Sequence, residues 1–416
     1  MIQLLLPEIA LILGATAVLL GGLIPALRNR SALVSLVAIA LALWLGARLS
    51  MLEIKDADAV VSLQHGPLVW YARLITLAIG ALIIMVNRHV PDDAERGEYF
   101  ALILFSLAGV TLTSVANSLV VLFLALELVS VPTYILIGLS RRDIAAQEAA
   151  GKYFFLGAFA AAITLYGFSF LYGAAGTMTM FGENSITAKI ASEGSIHDAL
   201  VLVGLLLSLA GLAFKIAAVP LHFYIADVYQ GAAAPITGML GFVPKFAGFL
   251  ALIQLLGLTS WKYGDEIFWL LFAMAAVTML VGNTLALMQH NIKRMLAYSG
   301  VAHSGYMLVA LVAGPILIDT GRAPLRDGIA ALLFYMTAYG IMNLGCFAAL
   351  SFFRKPGTDD PDESAETTDD IAGAARTHPW AALCLAVCTL GLMGFPAHRR
   401  LHGQALHYLL GPVRRR

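Results

Sequence analysis

The chain has 416 residues, 60% of them hydrophobic and 12% charged, with 26 basic and 26 acidic residues and a formal net charge of zero. Globular domains run about 45–50% apolar and about 25% charged, so this balance excludes a soluble protein, and the zero net charge leaves no electrostatic footprint for nucleic acid. The mean hydropathy of +0.83 is spread over many apolar blocks with short polar connections, which excludes a single anchor on a soluble body.

A bilayer core takes about 20 apolar residues per helix. Windows of that kind lie at 2–26, 31–50, 68–86, 99–115, 117–139, 153–174, 198–226, 235–257, 266–288, 295–314, 327–353 and 379–396, giving twelve predicted helices. The first opens without a basic region and runs past the usual length of a secretory signal's apolar core, so it reads as a retained helix. Basic residues test the spans. Arg28, Arg30, Arg88, Arg96, Arg141, Arg142, Lys152, Lys293, Arg294, Arg354, Lys355 and Arg376 fall on one side of the predicted bundle, and Arg48, Lys55, Arg73, Lys189, Lys262, Arg322 and Arg326 on the other. This asymmetry predicts an outside N-terminus. The polar stretch from Asp359 to Asp370 reads as a solvated, mobile cytoplasmic loop. Cys346, Cys384 and Cys388 lie in apolar segments without the spacing of a disulfide framework, zinc site or iron–sulfur site, and read as core packing. No Walker loop or GxGxxG turn is present, so a nucleotide or flavin site is not expected.

Ionisable residues within apolar helices carry the functional signal, because a charge at mid-bilayer costs several kcal/mol and calls for a partner. Glu127 lies in VVLFLALELVSVPTY, Lys215 in LLLSLAGLAFKIAAVPLHFY and Lys245 in GMLGFVPKFAGFLALI. One reading of Glu127 and Lys215 is a static ion pair that fixes packing; for Lys245 the plain alternative is snorkelling to an interface. The seventh window is too long for one span and holds Pro220, which predicts a break one turn beyond Lys215, tolerated only against protein or a hydrated cavity. Desolvation favours a neutral amine and a nearby carboxylate favours the ammonium, so changing the Glu127–Lys215 separation would load or release a proton. His222 lies just beyond the break and His303 in the tenth window; each reads either as a satisfied core histidine or as a relay. Glu8 and Asp227 are expected near helix ends, where capping or loop contacts suffice.

Five stretches, LELVSVPTYILIG, KYFFLGAFAAAITLYG, FKIAAVPLHFYIADVYQGAAAPITGML, KRMLAYSGVAHSGYML and DDIAGAARTHPWAALCLAVCTLGLMGFP, closely resemble subunit N of proton-translocating NADH-quinone oxidoreductase, respiratory complex I, in the family's order. The lysine-arginine block is shared across antiporter-like subunits; the glutamate block and DVYQGA point to subunit N more narrowly. The resemblance implies an all-α, polytopic transmembrane bundle with two inverted five-helix repeats and discontinuous helices, the second repeat incomplete: N-terminal helices over 1–97, first repeat 98–257, second repeat 258–396 and an aberrant basic tail 397–416. It implies that Glu127 and Lys215 form the coupling pair, that Lys245 is the central-axis lysine, and that His222 and His303 join the polar axis. It also implies a bacterial inner membrane, other membrane-arm subunits as partners, and no cofactor in this chain, with quinone, NADH, FMN and iron–sulfur clusters placed in the rest of the complex.

The resemblance departs after Pro396, where the chain reads AHRRLHGQALHYLLGPVRRR instead of the family's second broken helix with its glycine-lysine. An amphipathic tail is one reading. Another comes from the genetic code: Ala397 to Leu406 written as GCC CAC CGC CGG CTT CAT GGG CAA GCT CTC reads, one base later, Pro-Thr-Ala-Gly-Phe-Met-Gly-Lys-Leu, the family motif. A one-base shift in the gene or its record is therefore the expectation, and coupled pumping by the chain as written is not expected. The leading expectation is a proton-translocating subunit. The alternatives are a membrane subunit of a multi-subunit cation/proton antiporter or related hydrogenase, and a non-pumping remnant.

Overall fold

A computed structural model describes residues 2–50, 63–64, 66–87, 93–193, 199–261, 264–315, 327–354 and 365–394. Among them the protein is a bundle of α-helices, with two short 3-10 helices and isolated β-bridges beside it. The long elements are α1 (Leu6–Gly22), α2 (Ser31–Ser50), α3 (Pro67–Val86), α4 (Arg96–Val115), α5 (Leu119–Ser140), α6 (Ile144–Ala175) and α7 (Ala199–Lys215). After the short α8 (Ile225–Gly231) come α9 (Ala234–Gly257), α10 (Asp265–Leu287), α11 (Ile292–Ala313), α12 (Gly328–Leu350) and α13 (Pro379–Leu392). Every predicted window holds a helix; among the described residues ten helices are long and apolar enough to cross a membrane, while α7 and α13 are shorter. The aberrant tail 397–416 lies outside the described residues.

Helix ends follow local chemistry. Asp143 caps α6 by accepting from the Ala146 amide at 2.8 Å, and Gly176, at φ 67°, ends it in the left-handed region that glycine tolerates. Asn291 caps α11 and Asp327 caps α12 in the same way. Close packing uses small residues, as in other membrane bundles. A Cβ on Gly22 would sit 2.6 Å from the Gly97 Cα, so α1 and α4 meet backbone to backbone.

The helix α9 is the centre of the molecule. It packs against α3, α4, α5 and α7 on the N-terminal side and against α11 and α12 on the other, and its most apolar 18-residue stretch is entirely buried. A helix so largely apolar suits either lipid or a protein core, and here it is protein that surrounds it. Lys245 lies midway along this helix.

The break after Lys215 is real. The chain turns through residues 216–224, with Ala217 at φ 55°, before α8 begins. Groups released from the helical ladder find protein partners: the Tyr224 hydroxyl donates to the Phe214 carbonyl at 2.8 Å, and the Val219 amide donates to Thr278 Oγ1 at 3.0 Å.

Four expectations are corrected. Glu8 is not satisfied by its helix end: it is 2% exposed and accepts two hydrogen bonds from Arg73, at 2.9 and 2.8 Å, and Arg73 is itself buried in α3 rather than placed in a loop. Lys152 and Lys293, both assigned to loops, stand in α6 and α11, and Lys293 is 1% exposed with its amine on the Ala232 carbonyl at 3.0 Å. The described part of the polar loop, 365–370, is docked, since the Ile292 amide donates to the Glu366 carbonyl and Glu366 accepts from Arg141 at 3.4 Å. Of the three cysteines only Cys346 is buried; Cys388 is half-buried and Cys384 exposed.

Candidate functional site

The break places Lys215 at the C-terminal end of α7, facing α5 across the bundle. Its amine donates to Glu127 Oε1 at 3.2 Å and to Ser130 Oγ at 2.6 Å. Glu127 and Ser130 are three residues apart on α5, one turn, so both reach the same point. The Ser130 hydroxyl donates a hydrogen bond to the Leu126 carbonyl at 2.8 Å, which leaves its oxygen free to accept from the amine. The pair is unequally covered: the Lys215 side chain is 8% exposed and that of Glu127 24%.

Lys215 and Lys245 line one cavity of about 10 Å³, walled also by Tyr153, Tyr224, Tyr229, Leu240 and Pro244. That is room for about one water molecule. Tyr224 stacks on Phe214 at 4.2 Å and on Tyr153 at 5.1 Å, forming a rigid wall beside Lys215. Pro244 has no amide proton to offer the Leu240 carbonyl one turn back, so the helical ladder of α9 lacks one donor at the cavity wall. The Tyr229 hydroxyl is buried without a partner among the described residues, which adds a polar atom to the same region.

Beyond the cavity, Lys245 is 2% exposed and donates to the Gly300 carbonyl at 2.5 Å, with its amine 5.4 Å above the Tyr339 ring. Snorkelling is excluded by this burial. Gly300 is required by the close approach: a Cβ there would lie 2.9 Å from Lys245 Nζ and 2.8 Å from Tyr339 Oη. His303, one turn along α11, packs against Tyr339 at 5.0 Å between centroids and shares a 2.7 Å hydrogen bond between Nδ1 and the Tyr335 hydroxyl. Carboxylate, amine, amine, phenol and imidazole therefore follow one another across α5, α7, α9, α12 and α11. Such a row can accept and release protons in steps, with the cavity bridging the gap between the lysines.

Four of the five residues singled out from sequence are brought onto this row. His222 is not: it is half-buried in the break, 6.5 Å from the Tyr298 ring, and no described contact joins it to either lysine or to His303.

The family pattern described as NADH:quinone oxidoreductase/Mrp antiporter, TM matches residues 116–408. NADH-quinone oxidoreductase subunit N 1 of Solibacter usitatus is 34% identical over 393 residues, covering 94% of this chain and 77% of that protein. This chain belongs to the subunit N family of NADH-quinone oxidoreductase. The Trichlorobacter lovleyi subunit N is 36% identical over 335 residues, covering 79% of this chain and 64% of the relative, so the present chain spans less than two thirds of that protein. Among solved structures, respiratory complex I from Thermus thermophilus with bound aureothin aligns at a TM-score of 0.71 and 28% identity, covering 94% of this chain and 79% of the other. The Mrp complex from Dietzia sp. aligns at 0.72 and 21% identity over 94% of this chain and 71% of the other, a likeness of fold.

In this subunit N chain several residues of the row had escaped the sequence reading. Ser130 carried a signal, one turn from Glu127 on a helix with few polar residues. Pro244 carried another, next to Lys245. Tyr339, Tyr335 and Gly300 carried none, since an aromatic or a glycine in an apolar helix is ordinary packing.

Proposed function

We propose that this chain conducts protons across the membrane arm of an NADH-quinone oxidoreductase, by the route Glu127, Lys215, the cavity, Lys245, Tyr339 and His303. The observation that carries the reading is the single cavity lined by both buried lysines. The Glu127–Lys215 contact sets whether Lys215 holds its proton. When Glu127 withdraws, the ammonium loses its counter-charge and gives its proton across the cavity to Lys245, which hands it on past Gly300 towards the Tyr339–His303–Tyr335 group. The energy comes from quinone reduction in other subunits, which hold the NADH, flavin, iron–sulfur and quinone sites; this chain supplies proton transfer and no redox centre. Its partners are neighbouring membrane-arm subunits and the lipid bilayer, in a bacterial plasma membrane with the N-terminus outside.

The test is Glu127→Gln in the assembled complex, which keeps shape and hydrogen-bonding atoms and removes the charge. NADH-driven proton pumping is expected to fall several-fold while NADH oxidation by ferricyanide, which bypasses the membrane arm, stays near normal. Pumping at the unaltered rate would overturn the route. A second reading, a subunit of a cation/proton antiporter, is favoured by the family pattern that spans both groups and by the shared fold of the Mrp complex. Co-purification with NADH dehydrogenase activity separates the two.

A further inference from the structure

Three thiols outside the proton row converge where α12 meets α13. Cys384 and Cys388 are four residues apart on α13 and so share one face. Cys388 lies within hydrogen-bonding reach of both Cys384 and Cys346, the latter on α12. Gly345 makes the approach possible: a Cβ there would come 2.6 Å from Cys388 Sγ, and the Cys384 thiol points at the Gly345 carbonyl, 3.8 Å away. All three are free thiols, graded from exposed Cys384 through half-buried Cys388 to buried Cys346.

At 1.5 Å per residue, Cys346 lies roughly 6 Å from the C-terminal end of α12, and Cys384 and Cys388 roughly 7 and 14 Å from the start of α13. Cys388 thus stands near the mid-depth of a hydrocarbon core about 30 Å thick, a level that a small uncharged peroxide reaches by entering the bilayer.

We propose that Cys346, Cys384 and Cys388 form a peroxide-sensitive thiol cluster in which Cys388 is oxidised first and Cys346 resolves it to a disulfide between α12 and α13. Cys388 gives up its proton and its sulfur attacks a hydroperoxide, breaking the O–O bond to leave a sulfenic acid and one water or alcohol. The Cys346 thiol then attacks the sulfenic sulfur, forming the S–S bond and expelling a second water. Two thiols lose two electrons and two protons, and the peroxide takes them up. Cys388 is suited to the first step because it is less buried than Cys346 and has thiol neighbours on two sides; Cys346 is suited to the second because it is buried beside Cys388. Cys384 is a reserve partner on the same face, but a bond along one helix has its two Cβ vectors nearly parallel, which is poor disulfide geometry. The bridge would tie α13 to a point seven residues, two turns, from Tyr339 on α12, and so restrict the helix that packs against Lys245 and His303.

The full chain in its native membranes, treated with hydrogen peroxide, then denatured in the presence of N-ethylmaleimide so that every remaining thiol is blocked, and digested without reductant, tests this. Mass spectrometry is expected to find the Cys346 and Cys388 peptides joined, two hydrogens lighter than their sum, and separated by dithiothreitol. Cys384→Ala should form the same bond. Cys346→Ala should lose it and instead yield a dimedone adduct at Cys388, a readout that needs no disulfide. Three overturning results are possible: all three thiols still blocked by maleimide after peroxide, a Cys384–Cys388 bond as the main product, or a dimedone adduct confined to Cys384.

Discussion

Lys245 is the residue on which the proposed route turns, and its surroundings predict a clean substitution. The Gly300 carbonyl that accepts from Lys245 also accepts from Ser304 Oγ at 3.1 Å, so Lys245→Ala leaves no backbone acceptor stranded. The expected result is a complex that assembles near normally, reduces ferricyanide near normally and loses most NADH-driven proton flux; equal loss of both activities would indicate a folding defect instead. Gly300→Ala is expected to act on the same amine without removing it. Its methyl would stand 2.9 Å from Lys245 Nζ and 2.8 Å from Tyr339 Oη, forcing one of them aside. NADH-driven proton pumping should fall less than in Lys245→Ala; pumping at the unaltered rate would mean that the amine and the phenol tolerate the added methyl.

Among the elements, α1 and α3 are joined by the Glu8–Arg73 pair, whose charges are almost fully withdrawn from solvent and lipid and further held by Arg73 donating to the Leu4 carbonyl at 2.6 Å. Removing one partner of such a pair strands the other, at about 3–5 kcal/mol, while replacing both with apolar residues of similar size is often neutral. Arg73→Met is therefore expected to lower the thermal stability of the detergent-solubilised protein sharply, and Glu8→Leu with Arg73→Met to restore most of it; an undiminished double mutant defect would mean the pair supplies more than mutual neutralisation. This pair also marks where sequence reading stops. Hydropathy located each helix, and Pro220 located the break beside Lys215, because those signals are local. Arg73 sits six residues after Pro67 and looks like a flanking charge; only the fold brings it to Glu8, 65 positions away. The first two turns of α6, with Gln147 and Glu148, are polar enough to hide from a hydropathy window, so Lys152 was read as loop. Glu127, Lys215 and Lys245 were legible because a charge in an apolar helix is costly wherever it ends up; their phenolic and glycine neighbours were not, because nothing in one helix says what faces it.

Across the whole molecule, one carboxylate ties the halves together. Asp227 on α8 accepts from Lys152 of α6 at 2.9 Å and from Arg294 of α11 at 2.7 Å, and Arg294 also reaches Gln230. These side chains are partly exposed, so each pair alone is worth about 1 kcal/mol or less, yet together they set how α6 and α11 sit about the break. Asp227→Asn keeps the size and one acceptor oxygen; it is expected to leave assembly unchanged and to raise hydrogen exchange in residues 216–231, with unaltered exchange ruling out a tethering role.

The enclosed position of α9 bears on how the chain is made. Helices enter the bilayer in the order of synthesis, so α9 is delivered before α11 and α12, which supply the Gly300 carbonyl and the Tyr339 ring around Lys245. For the time taken to synthesise about ninety further residues, a half-built protein holds a lysine midway along its most buried helix with one side uncovered. That interval makes α9 a client for insertion machinery rather than a helix that partitions freely. Ribosome-bound chains arrested before residue 292 should cross-link from position 245 to the insertase, and chains extended past residue 350 should not.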